Sequence, residues 1–141
     1  MLGHPLHPAL VHFPLALLLS ATIGDVAWLV GLTADTHVAA ILMAAGLAGG
    51  LLAMAAGLID FSRMDEHLMP HAARHMMVVA VAWLGYAAAL YLRRDSLRAD
   101  ADLDLMSVGI SIGSGLLLAL GGWLGGRLVY KFGVGVARVE P

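Results

Sequence analysis

Four apolar runs of membrane-spanning length dominate this chain. They cover about residues 14–32, 36–61, 70–92 and 105–130. A bilayer crossing needs about 20 consecutive apolar residues. The 141 residues are 60% hydrophobic and 13% charged, and mean hydropathy is +0.86. An ordinary soluble domain carries about 25% charged residues. The expected class is therefore all-α: an integral membrane four-helix bundle, up-down-up-down, forming one transmembrane domain over 1–141. The connections are short, no internal repeat is visible, and no second domain fits. The first run lacks the basic lead of a cleaved signal peptide, so it reads as a retained helix.

Composition also excludes several functions. Net charge is -2, which gives no basic face for nucleic acid. With no cysteine, thiolate metal sites, iron–sulfur clusters, disulfides and thiol nucleophiles are excluded. Gly121 to Gly126 is not a phosphate loop, because no Lys-Ser/Thr follows it. No nucleophile elbow or His-Glu-x-x-His is present, so no catalytic residue is assigned and enzymatic activity is left open.

Antiparallel helices sort the polar groups onto two sides. Side A, at the N-terminus, collects His4, His7, His12, Asp60, Arg63, Asp65, Glu66, His67, His71, Arg74, His75, Arg127, Tyr130 and Lys131. Six of the seven histidines fall there, and His37 alone falls on side B. Side A is the expected functional face. Its Arg63, Arg74, Arg127, Lys131 and Arg138 outnumber Arg93, Arg94 and Arg98 of side B. That excess favours side A in the cytoplasm, in a protein of the cell's inner (plasma) membrane.

Intramembrane histidines are costly and mark function. Pro14 suits a first helical turn, although the helix could start as early as Pro8, so His4, His7 and His12 are expected on an irregular, interfacial lead-in or a kinked first turn. His71 and His75 share a face of helix three. Helices one and three are diagonal, so His12 is expected to meet His75 across the interior. Facing imidazoles on diagonal helices are a haem site. The leading expectation is a b-type haem protein passing electrons to a redox partner. His12 and His75, with His71 near, would serve the iron, Arg74 and Arg127 the propionates, and Asp60 a ligating imidazole. The alternative is a transition-metal (copper, zinc or iron) binding or transport module using His4, His7, His12, His71 and His75. A third reading is a non-catalytic membrane anchor with interfacial histidines. Asp25, too far from His12 to share its site, is expected to pair with Arg93 or Arg94. Gly46/Gly50, Gly109/Gly113, Gly121/Gly125 and Gly122/Gly126 are spaced for close helix packing, within the bundle or in a homodimer. The remaining partner is the lipid bilayer.

Several stretches also resemble a known family. They are Gly3-His4-Pro5-Leu6-His7-Pro8-Ala9-Leu10-Val11-His12-Phe13-Pro14, Asp25, Gly57-Leu58-Ile59-Asp60, Arg74-His75, Gly122-Trp123-Leu124-Gly125-Gly126-Arg127-Leu128-Val129-Tyr130 and Gly133-Val134-Gly135-Val136. Together they are similar to a bacterial family of four-helix membrane proteins catalogued as domain of unknown function 2231. The resemblance spans essentially the whole chain. It implies the four-helix fold. Some members look like fusions of such a unit to a Rieske iron–sulfur domain, which implies electron transfer and hence haem. This chain has no such domain.

Overall fold

The computed structural model describes residues 6–134. Four helices account for most of it: α1, Leu6–Leu29; α2, His37–Phe61; α3, Met69–Leu92; and α4, Leu105–Tyr130. A short 3-10 helix, Arg94–Leu97, opens the α3–α4 connection. All four helices are long and apolar enough to cross a membrane.

Local chemistry sets the helix ends. Pro8 falls in the first turn of α1, where no N–H donor is required. The helix then runs through Pro14 instead of starting there. A membrane helix tolerates this interior proline, and its ring is buried against Gly49 of α2. His7 and His12 are therefore helical, not on an irregular lead-in, and His4 lies outside the described residues. At the other end of α1, Gly31 takes a left-handed φ of 75°. Its N–H donates to Trp28 O, and that of Leu32 to Ala27 O, closing the helix. Asp104 caps α4 by accepting from Met106 N. The α2 N-terminus is capped from a distance: Asp100 Oδ1 accepts from Thr36 N at 2.9 Å and His37 N at 3.1 Å. Those two hydrogen bonds hold the Asp100 carboxyl below its ordinary value.

The packing shows an internal repeat that the sequence reading did not find. α1 packs most extensively on α2, and α3 on α4. The second hairpin repeats the first with an offset of sixty-eight residues. Phe13–Ile23 matches Val81–Tyr91, and Val38–Ala53 matches Met106–Gly121, position for position in burial state. Identities are few: Leu18 corresponds to Tyr86, Met43 to Ser111 and Leu47 to Gly115. Conserved burial under divergent side chains is why the repeat escapes inspection of the letters. The two hairpins run parallel, so their pseudo-twofold axis lies along the bundle, as in membrane proteins built from parallel repeats.

The core lies on that axis. Leu18, Ala21, Met43, Leu47, Ala82, Tyr86, Ala89 and Leu118 form its buried cluster. Gly46 and Gly50 are packing positions: an added Cβ would stand 2.7 Å from Leu18 and 2.9 Å from Trp83. Gly109, Gly113 and Gly122 face open space instead.

Candidate functional site: a histidine pair on the repeat axis

The repeat brings two histidines together. His7 and His75 are equivalent positions of α1 and α3. Their ring centroids stand 6.3 Å apart, with the planes at 76°. Each ring is held in the same way. His7 Nδ1 lies 2.8 Å from Ala53 O on α2, and His75 Nδ1 lies 2.8 Å from Gly121 O on α4. A carbonyl oxygen can only accept, so both Nδ1 atoms carry the proton. In the neutral rings both Nε2 atoms then keep their lone pairs. A backbone carbonyl fixing the tautomer of a ligand histidine is a recurring feature of metal sites.

A glycine makes each approach possible. The residue four positions after each accepting carbonyl is Gly57 or Gly125. A Cβ at Gly57 would come within 3.1 Å of His7 Nδ1, and one at Gly125 within 3.0 Å of His75 Cε1. The repeated unit is thus an imidazole seated on a carbonyl beside a glycine.

His12, expected opposite His75, is exposed on the outer face of α1. It follows His7 by five residues, about 140° around the helix. Its place in the proposed pair is taken by His7. Asp60 is not the partner of either Nδ1, since main-chain carbonyls hold both. His71 turns from the pair and stacks on Phe132, with centroids 4.5 Å apart. His67 is exposed in the α2–α3 connection. The five-histidine set is therefore not assembled. Among the described residues no three His, Cys, Asp or Glu side chains group closely enough to hold a metal ion.

Arg74 and Arg127 do come together. With His71, Leu124, Leu128 and Phe132 they line a cavity of about 70 Å³ on side A. That volume is far below the roughly 300 Å³ at which organic-ligand pockets begin. At the pair itself the α2 and α4 backbones lie against the rings, leaving no porphyrin slot on those faces.

The opposite end of the axis carries charge. Asp25 of α1 and Arg93 of α3, again equivalent positions, form an ion pair with side chains 0% and 1% exposed. The other oxygen of Asp25 and the Nε and Nη2 of Arg93 have no protein partner among the described residues. Beside the pair, the Thr22 hydroxyl meets Tyr86 at 2.6 Å. The expected Asp25 pairing is present, with Arg93 as the partner. His7 was among the candidate metal ligands, but its pairing with His75 and the part played by Gly57 and Gly125 were not anticipated. The available signal was spacing: Asp25 follows His7, and Arg93 follows His75, by eighteen residues, five turns on one helix face.

The fold and the axial pairs define a four-helix integral membrane protein made of two parallel helical hairpins, with a histidine pair at one end of their interface. The chain belongs to the family described as Predicted membrane protein (DUF2231), which matches residues 3–138. No curated protein and no solved structure matches it.

Proposed function

We propose that this protein is a membrane metal-binding protein in which one transition-metal ion is held between Nε2 of His7 and Nε2 of His75. One observation carries the reading: both imidazoles are locked as Nδ1–H donors to helix carbonyls, with centroids 6.3 Å apart. A single ion with metal–nitrogen bonds of about 2.0–2.1 Å needs the two Nε2 atoms about 4 Å apart, a separation that rings with centroids 6.3 Å apart reach when both Nε2 atoms turn toward the axis. Imidazole suits copper, zinc, iron and nickel. Copper(I) is the best match, because it accepts two nearly linear ligands and adds the least charge to the bilayer. The site lies between the parallel repeats but at one membrane face, so metal delivery or one-electron transfer at side A are its roles.

The histidine side faces the cytoplasm of the plasma membrane in this reading. Arg93 is neutralised by Asp25, which leaves Arg94 and Arg98 on side B against Arg63, Arg74, Arg127 and Lys131 on side A. The positive-inside rule follows that excess.

The test is metal content and absorption of protein purified in detergent from metal- and haem-replete cells. About one copper per chain, lost on chelation, supports the reading. A Soret band that shifts on reduction replaces the ion with haem, and would mean that α2 and α4 part from the axis to admit it. A colourless, metal-free protein removes both.

A further inference from the structure

The geometry points to the Arg74–Arg127 cleft as a binding site for the phosphate of an anionic phospholipid. Two arginines from different helices converge on one small cavity. Lys131 adds a third cation, over the Phe132 ring at 5.8 Å. Among the described residues no carboxylate lies within ion-pair distance of these cations, and Asp25–Arg93 is the ion pair found there. Two arginines lining one cleft concentrate positive charge there. An oxyanion between them offsets that charge, and arginine forks match phosphate oxygens.

Size and surroundings identify the anion. The cleft is small, about 70 Å³, in keeping with a single phosphate group. Leu124, Leu128 and Phe132 make the rest of the wall apolar, as suits a headgroup with acyl chains below it. The cleft lies at the membrane boundary, where Trp123 is exposed under the Arg127 guanidinium at 4.9 Å and Tyr130 is 92% exposed. Basic pockets between helices at this depth take anionic headgroups.

Repeat symmetry gives an independent argument. The positions equivalent to Arg74 and Arg127 in the first hairpin are Leu6 and Ile59, and the counterpart of Leu128 is Asp60. The fold therefore does not require cations there. The second hairpin carries them and the first does not.

The experiment uses the whole protein in detergent and native mass spectrometry with phosphatidylglycerol or phosphatidylcholine. Phosphatidylglycerol should be retained over phosphatidylcholine. Arg74→Gln and Arg127→Gln should each weaken its retention about fivefold, while Arg63→Gln on the same side changes nothing. Arg74→Lys with Arg127→Lys should keep most of the binding, which separates charge from folding. Equal retention of phosphatidylglycerol by wild type and the doubly glutamine-substituted protein would overturn the proposal. Displacement of the lipid by millimolar inorganic phosphate would show a free-oxyanion site and overturn the lipid assignment. Metal content of the same variants reports on the His7–His75 pair separately, so either conclusion can fail alone.

Discussion

Asp25 and Arg93 occupy the same position in successive hairpins, and they have become opposite members of a buried ion pair. Equivalent positions lie near the pseudo-twofold axis, so each faces its counterpart. Two like charges there would repel in a low dielectric, and the two positions carry complementary charges instead. At the other end of the axis, both equivalent positions are histidine, His7 and His75. A neutral imidazole pair does not repel, and a shared ligand would favour keeping both.

Breaking the ion pair leaves one charge buried alone. Asp25→Asn and Arg93→Met should each lower stability by about 3–5 kcal/mol. The joint replacement Asp25→Leu with Arg93→Met should recover most of that loss. Unfolding in mixed detergent measures all three. A double variant as unstable as the sum of the singles would show that the residues act independently.

The glycines should separate into two groups. Gly121→Ala puts a Cβ 2.7 Å from Val79 and should cost about 1–3 kcal/mol through overpacking. Gly109→Ala, Gly113→Ala and Gly122→Ala meet nothing within 4 Å. Each should be neutral or gain about 0.5–1 kcal/mol from helix propensity. The same unfolding assay decides. A loss at Gly109 or Gly113 together with a change in oligomeric state would instead locate a homodimer contact.

Asp100 joins the α3–α4 connection to the start of α2, and its effect depends on pH. Its folded-state value lies below the ordinary 3.8 because Thr36 N and His37 N donate to the charged form. A lowered acid contributes stability that is fully present above its unfolded value. The contribution declines as pH falls below about 3.8 and is gone below the lowered folded value. Asp100→Asn keeps an acceptor oxygen and should flatten this acid limb, whereas Asp100→Ala should remove the contribution at every pH. Thermal melts from pH 6 to pH 2 read the difference. Identical profiles for wild type and Asp100→Asn would contradict the assignment.

Much of the fold was legible because lipid imposes a simple rule. Only long apolar helices satisfy their own backbone in hydrocarbon, so α2, α3 and α4 were located to within a residue. The start of α1 was not, because Pro14 reads as a first helical turn, and the membrane helix runs through it from Leu6. That one boundary decided the site. With the helix beginning at Pro14, His12 is the histidine placed against the interior. With it beginning at Leu6, His7 does, and His12 turns outward. Arg74 and Arg127 were found because arginines at a membrane helix end are conspicuous. The carbonyl seats at Ala53 and Gly121 were not, since a main-chain acceptor leaves no mark on its own side chain. The repeat was hidden for a related reason: positions such as Leu18 and Tyr86 share burial but not chemistry.

The central claim is that His7 and His75 form one two-ligand centre. Copper bound per chain, determined on purified wild type, His7→Ala, His75→Ala and His12→Ala, tests it most directly. Wild type and His12→Ala should bind about one equivalent, and His7→Ala and His75→Ala should each bind none while remaining folded. Equal metal content in all four proteins, or loss in His12→Ala with retention in His7→Ala, would contradict the account.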